Sequence, residues 1–334
     1  HGIILDTNPP DSDHWYYALS ERDQDLAYQL GLSLDDIDRI WDFFRQPGGL
    51  IEVEEGKFVE NVEAENLDNL PKGYYLDKIA GQSLDHIRVS YCCEYGFVVE
   101  GREVHPDYND TVHASDKVLK PVNDIDIYIG LDFGLEPAAT IGQEMPSGQW
   151  RVVDELTSVR SSIETFAKDR LMPLMTKIQR DCPDSGFYVY GDPAGTAEAQ
   201  TDSRTCFEIL DVCGIHAEPA WHNNDPVPRR EALDHLLRTM IGGKPAFLVS
   251  QHCNQLRKAL KGGYCYKRKQ VTGQPEYHEK PKKNKYSHIA EACEYMLLGA
   301  GEGGGVVTEM SYQDVHPGHR YRPAAGAGGG GWML

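Results

Sequence analysis

Three acids in this sequence stand where a carboxylate could do chemistry. They are Asp132 in Ile129-Gly130-Leu131-Asp132-Phe133-Gly134, Asp192 in Tyr190-Gly191-Asp192-Pro193-Ala194-Gly195, and Glu291 in Tyr286-Ser287-His288-Ile289-Ala290-Glu291-Ala292. The first two close apolar runs that read as strands, and the third lies on a stretch that reads as a helix. If the strands are neighbours and the helix packs across their ends, the three carboxylates converge. Converging carboxylates repel unless a cation lies between them, and oxygen-only ligands select Mg2+ or Mn2+. Two such ions can activate a water and stabilise the leaving oxygen of a phosphodiester, which is nuclease chemistry. His288 precedes Glu291 on the same helix face and is a candidate for orienting a ligand or a water. Each residue also has a plain structural role open to it: Asp before Gly or Pro forms turns, a helical Glu is usually solvated, and a His can simply pack.

A second feature is electrostatic. Between Arg257 and Lys285 there are ten basic residues and two acids, a local charge of +8, whereas the rest of a chain with net charge −19 carries −27. Lys258, Lys261, Lys267, Arg268, Lys269, Lys282 and Lys283 are the candidate DNA-binding residues, interleaved with Tyr264, Tyr266, Tyr277 and Tyr286. Phosphate neutralisation plus aromatic stacking suits DNA. Val271-Thr272-Gly273-Gln274 reads as the turn between two strand-like arms, giving a basic hairpin that leads into the helix with Glu291.

These residues need elements to position them. The strands expected are Ile125 to Leu131, Ala138 to Gln143 turning at Pro146-Ser147-Gly148 into Trp150 to Leu156, Gly186 to Tyr190, and a short one near Ile215 to Pro219. Helices are expected over Ser161 to Arg180 with Ser161 or Ser162 as N-cap, Cys206 to Cys213, Pro228 to Ile241, and Ser287 to Leu298. A hairpin followed by alternating helix and strand predicts an α/β sheet with helices packed on it. Earlier in the chain, residues 1 to 5 read as a strand, Leu34 to Phe44 as a helix, and the acid-rich stretch from Glu52 to Asp68 as a solvated face or linker. A boundary is expected near Pro121, and the Gly-rich residues 301–334 read as a flexible tail.

The 334 residues leave room for roughly two domains and are 40% hydrophobic. No window approaches the roughly 18 apolar residues of a membrane span, and no basic-then-apolar leader opens the chain, so neither membrane insertion nor ordinary export is expected. The eight cysteines form no C-x-x-C pair and read as reduced thiols. No G-x-x-x-x-G-K-[ST] loop, G-x-S-x-G or H-E-x-x-H occurs, so P-loop ATP binding, serine-hydrolase and zinc-protease chemistry have no support. The start at His1 reads as that of a fragment of a longer protein.

Taken in order along the chain, these segments resemble the large terminase subunit of tailed bacteriophages, the motor-nuclease that cuts concatemeric DNA and drives it into a procapsid. Leu5-Asp6-Thr7-Asn8-Pro9-Pro10 with His14-Trp15 is similar to the end of the family's ATPase domain, and Glu94-Tyr95-Gly96 through Val104-His105-Pro106 to the passage leading out of it. The segments around Asp132 and Asp192 resemble the first and second catalytic strands of its nuclease domain. Arg229-Arg230, Leu256 to Tyr266 and the segment around Glu291 complete the order. The resemblance implies a ribonuclease H-like mixed sheet with flanking helices in residues 121–300, preceded in residues 1–120 by a remnant of a P-loop ATPase domain. It puts two Mg2+ or Mn2+ ions on Asp132, Asp192 and Glu291, although many relatives have Asp where Glu291 stands. It further implies double-stranded DNA, portal protein and small terminase as partners, an oligomer on the procapsid for the full-length protein, and work in the host cytoplasm at the procapsid portal. Two other readings stay open: a non-catalytic docking module of the packaging motor, and an actin- or hexokinase-like phosphotransferase, for which Gly191-Asp192-Pro193 does not supply the second Asp-x-Gly strand.

Overall fold

The computed structural model describes residues 4, 6–11, 14–22, 33–65, 67–82, 84–96, 101–134, 136–197, 204–221, 223–269 and 276–302. The chain divides into two compact units, His1–Val99 and Glu100–Leu334. In the first, Leu34–Ile40 is the expected helix, set by a reciprocal capping box between Ser33 and Asp36. The acid-rich stretch is not a linker. Leu50–Glu54 and Lys57–Glu60 pair as an antiparallel hairpin turned at Gly56, which takes a φ of 75°. Glu52 is held there by two bonds from Arg88, at 2.6 and 2.8 Å. Of residues 1 to 5 only Ile4 is described, and it is in no strand.

The second unit is built on six strands: β1 (Ile127–Asp132), β2 (Ala138–Glu144), β3 (Trp150–Thr157), β4 (Phe187–Gly191), β5 (Glu218–Pro219) and β6 (Phe247–Val249). Their order across the sheet is β6-β3-β2-β1-β4-β5. Short turns make β1, β2 and β3 an antiparallel meander, with Gly148 at a φ of 82° in the second turn. The pairs β1–β4, β4–β5 and β3–β6 are parallel, which requires crossover connections. The first of these is a long helix, α1, made of Ile163–Phe166, a π-helical stretch Ala167–Leu171, and Met172–Asp181. Ser162 caps it, its hydroxyl accepting from the Thr165 amide. The π turn falls just ahead of Pro173, whose missing N–H and bulky ring disrupt the regular α ladder. After β4 come α2 (Cys206–Val212), α3 (Pro226–Arg238) and finally α4 (Lys285–Gly299). The fold is α/β, and a three-strand meander with two further parallel strands added beside β1 is the ribonuclease H-like arrangement.

Ile127, Ile129, Leu131, Ala139, Ile141 and Val153 pack on one face of the sheet against Phe166, Leu171, Met175 and Ile178 of α1. On the other face α4 lies so close to β1 that a Cβ at Gly130 would sit 1.9 Å from the Ala292 carbonyl oxygen. Gly130 is therefore a docking point for α4, and Gly130→Ala should lower stability by about 1–3 kcal/mol, measured as a fall in the urea midpoint. The other glycines of the two aspartate motifs have similar work. Gly191 and Gly195 meet the Phe133 ring, and Gly134 meets the His288 ring.

The compact second unit begins ahead of the boundary expected near Pro121. Gly101–Glu103 pairs antiparallel with Cys265–Lys267, and Ala114 bridges Val249 of β6, so residues 101–120 belong with the sheet. All eight cysteines are free. Among the described residues no helix is long and apolar enough to cross a membrane. The tail from residue 303 lies outside the described residues.

Candidate functional site

The parallel pairing of β1 with β4 puts Leu131 opposite Gly191. The Asp192 amide then donates to the Leu131 carbonyl at 3.0 Å, so the ladder runs one residue further and sets Asp132 and Asp192 side by side at the carboxyl ends of the two strands. Strand alternation turns Leu131 into the core beneath α1 and Asp132 toward α4. Asp132 is 4% exposed, and its Oδ2 lies 2.5 Å from Nδ1 of His288 on α4. Asp192 Oδ1 accepts from the Ala194 amide at 2.8 Å and from Asn224 Nδ2 at 2.9 Å. It therefore does serve the turn that precedes Pro193, as an Asp in this setting commonly does. Its carboxyl is nonetheless pushed above the usual range, by burial first and also by the charge of Asp132, against the Ala194 amide, which lowers it. Two like charges thus share this corner. The His288 imidazole is raised, mainly by its hydrogen bond to Asp132 and against the opposing effect of burial.

Helix α4 starts at Asn284, whose Oδ1 accepts from the Tyr286 and Ser287 amides at 3.0 and 2.9 Å, while Ser287 Oγ accepts from the Asn284 amide. Ser287 is thus the third helical residue of a capping box. The helix is apolar nearly all round, with Ile289, Ala292, Cys293, Met296 and Leu297 buried. Glu291 and Glu294 consequently have no solvated face and must find partners inside. Tyr264 donates to Glu291 Oε1 at 3.0 Å, an Arg229 nitrogen lies 3.5 Å from the same oxygen, and Lys283 Nζ binds Oε2. Glu294 pairs with Arg229 Nε at 2.9 Å, too bent for a hydrogen bond, and with His105 Nε2 at 2.9 Å. His105 Nδ1 pairs with Asp234 of α3 at 2.7 Å.

Burial works against a charge on His105, but the hydrogen bonds to Asp234 and Glu294 outweigh it and hold the imidazole up at about 9. A pKa raised on folding contributes stability that is complete below about 6.5, the unfolded value, and is lost as pH rises through about 9. The loss should be on the order of 3 kcal/mol. Urea midpoints measured from pH 6 to pH 9.5 should fall in this window, and the fall should be much smaller in His105→Asn.

The structure brings Asp132 and Asp192 together at one corner with His288, and the charge of Glu291 reaches His288 as well. Among the described residues, no three His, Cys, Asp or Glu side chains surround a point from which they could hold a metal ion. Glu291 is already paired with Lys283 and Arg229. Asp132 and Asp192 do fit a divalent cation: they are adjacent hard oxygen donors, and their mutual repulsion is relieved by positive charge.

The basic hairpin is present in its arms. Arg268 bridges Tyr277, the Lys269 amide donates to Glu276 O, and the His278 amide to Lys267 O; the expected turn lies outside the described residues. Lys261, Lys267, Arg268, Lys282 and Lys283 are exposed, while Lys258 and Lys269 are partly covered. Two of the four tyrosines expected to stack on bases do not face outward. Tyr264 is 1% exposed and spent on Glu291, and Tyr286 is buried under Gly263. Tyr266 and Tyr277 instead stack with Arg102, and Tyr266 also with Arg230. The sequence reading missed the buried His105, Glu294 and Tyr295 with the half-buried Asp234; the available signal was a second Glu on a helix with no polar face.

The fold and the paired aspartates define an α/β, ribonuclease H-like unit with an acidic corner at its strand ends. Among solved structures, the chain is similar to the large terminase of the thermophilic bacteriophage D6E, at 14% identity and a TM-score of 0.43 over 87% of this chain and 59% of that one. It is similar to the P22 large terminase nuclease domain at 11% identity and a TM-score of 0.42, over 58% of this chain and 89% of that one. The bacteriophage SPP1 large terminase nuclease domain with bound Mn is 15% identical with a TM-score of 0.39, over 60% of this chain and 97% of that one. All three are phage large terminases or their nuclease domains, the family that the ordered motifs resemble. The chain spans about three-fifths of the length of the D6E protein. No family model and no curated protein sequence matches it.

Proposed function

We propose that this chain is the nuclease-bearing part of a phage large terminase and cuts double-stranded DNA with divalent metal ions during genome packaging. The observation that carries this reading is the pair Asp132 and Asp192 at the ends of adjacent parallel strands, with the Asp192 carboxyl raised by burial first and also by its neighbour's charge. A bound Mg2+ or Mn2+ ion supplies a Lewis acid for the phosphodiester. The chain's own residues do the rest. Asp132 and Asp192 hold the ion; His288 fixes the orientation of the Asp132 carboxylate through Nδ1; Asn224 and the Ala194 amide do the same for Asp192. Lys261, Lys267, Arg268 and Lys282 offer exposed positive charge for the DNA backbone, with Lys258, Lys269 and Lys283 beside them.

In this reading the first unit is the end of the ATPase domain, and portal protein, small terminase and the procapsid are the setting in the infected cell. Conversion of supercoiled plasmid to nicked and linear forms in Mn2+, stopped by EDTA, tests it. Cleavage that persists in EDTA overturns the metal role. The engagement of Glu291 by Lys283 and Arg229 favours one second reading, a docking module of the packaging motor with a disabled site. That reading predicts no cleavage in either Mg2+ or Mn2+.

A further inference from the structure

We propose that Lys283 sets how many divalent cations the acidic corner holds. It acts as a resident ammonium on Glu291, so the resting site takes one ion on Asp132 and Asp192, and Glu291 becomes a ligand only when Lys283 leaves. This rests on the metal-site reading above and adds to it a residue that decides occupancy.

Charge is distributed unevenly across the three carboxylates. Asp132 has His288, and Asp192 has the Ala194 amide and Asn224, with the Tyr295 hydroxyl and the charge of Arg229 acting on it as well. Glu291 has a cation at each oxygen, Lys283 on Oε2 and Arg229 near Oε1, together with the Tyr264 hydroxyl. A carboxylate that is 2% exposed and doubly compensated gains little from a further cation, while two carboxylates side by side with only His288 in ion-pair contact gain more. A divalent ion at Glu291 would also stand beside the Lys283 ammonium and be repelled by it.

Lys283 is well placed to leave. Its side chain is 63% exposed, against 2% for Glu291, and it immediately precedes the Asn284 cap, at the end of the basic segment. Phosphates drawn to that segment compete with Glu291 for the same ammonium. DNA arrival would then free Glu291 to take a second ion, so that the two-ion site is completed only with substrate present. Arg229 has no such freedom, being buried and shared with Glu294 and Tyr295.

The test is a count of bound Mn2+ by electron paramagnetic resonance of the free ion, using the full chain without DNA. Wild type and Lys283→Arg should bind one ion per chain. Lys283→Met should bind two, with affinity for the second raised at least roughly tenfold over wild type. Adding Glu291→Gln to Lys283→Met should return the count to one. Two tight ions in wild type, or one in Lys283→Met, overturns the role of Lys283 and leaves the aspartate site standing. Binding unaffected by Asp192→Asn overturns the aspartate site itself, and the proposal with it.

Discussion

Replacing Asp132 by alanine should lower Mn2+-dependent DNA cleavage by roughly three orders of magnitude, equivalent to about 4 kcal/mol of transition-state stabilisation. Asp132 is the more enclosed carboxylate of the proposed pair and the one that His288 contacts. Asp132→Asn keeps the shape and removes the charge, and should lose nearly as much. Neither change should unfold the protein, because each removes one of two like charges set side by side, where the Asp192 carboxyl is raised by burial first and also by the Asp132 charge. Initial rates of plasmid nicking, paired with thermal melting of the same samples, check both halves. Full activity in Asp132→Ala would exclude this residue from the reaction, whereas a melting temperature that collapses with activity would assign it a structural role.

Arg229→Met should be the most destabilising single change in the second unit, at about 3–5 kcal/mol. Arg229 is 6% exposed and stands between Glu291 and Glu294, with its guanidinium over the Tyr295 ring and bonded to that hydroxyl. Methionine fills much of the volume but leaves two carboxylates on one buried helix face without their common counter-charge. Glu294→Gln added to Arg229→Met should recover part of the loss, since it removes one stranded charge. Urea unfolding of the single and double variants measures this. A loss below about 1 kcal/mol would mean that the buried carboxylates are neutralised by other means.

The sheet was largely legible because its strands are bounded by strong punctuation. Pro146-Ser147-Gly148 marks one turn, and the runs ending at Asp132 and Gly191 are apolar because both of their faces are covered. The aspartate pair was legible for the same reason, since two parallel strands that end alike bring their last residues together. The setting of Glu291 was not. Its partners Arg229 and Tyr264 lie on other elements, and Lys283 reaches it from before the helix cap, so no local spacing encodes the pairing. His105 joins Asp234 and Glu294 across separations of 129 and 189 residues. The interleaved tyrosines misled because alternation with lysine in sequence says nothing about which rings a sheet edge and a helix will cover. Tyr264 was claimed by the buried carboxylate.

Asp132 and Asp192 together should hold a divalent cation at the ends of β1 and β4. Anomalous diffraction from crystals of this chain soaked in Mn2+ tests it most directly. The predicted result is a Mn2+ peak shared by the Asp132 and Asp192 carboxylates and lost in Asp132→Ala. A fully soaked crystal with no peak between those two side chains, grown from protein that cleaves DNA in the same Mn2+ buffer, would contradict it.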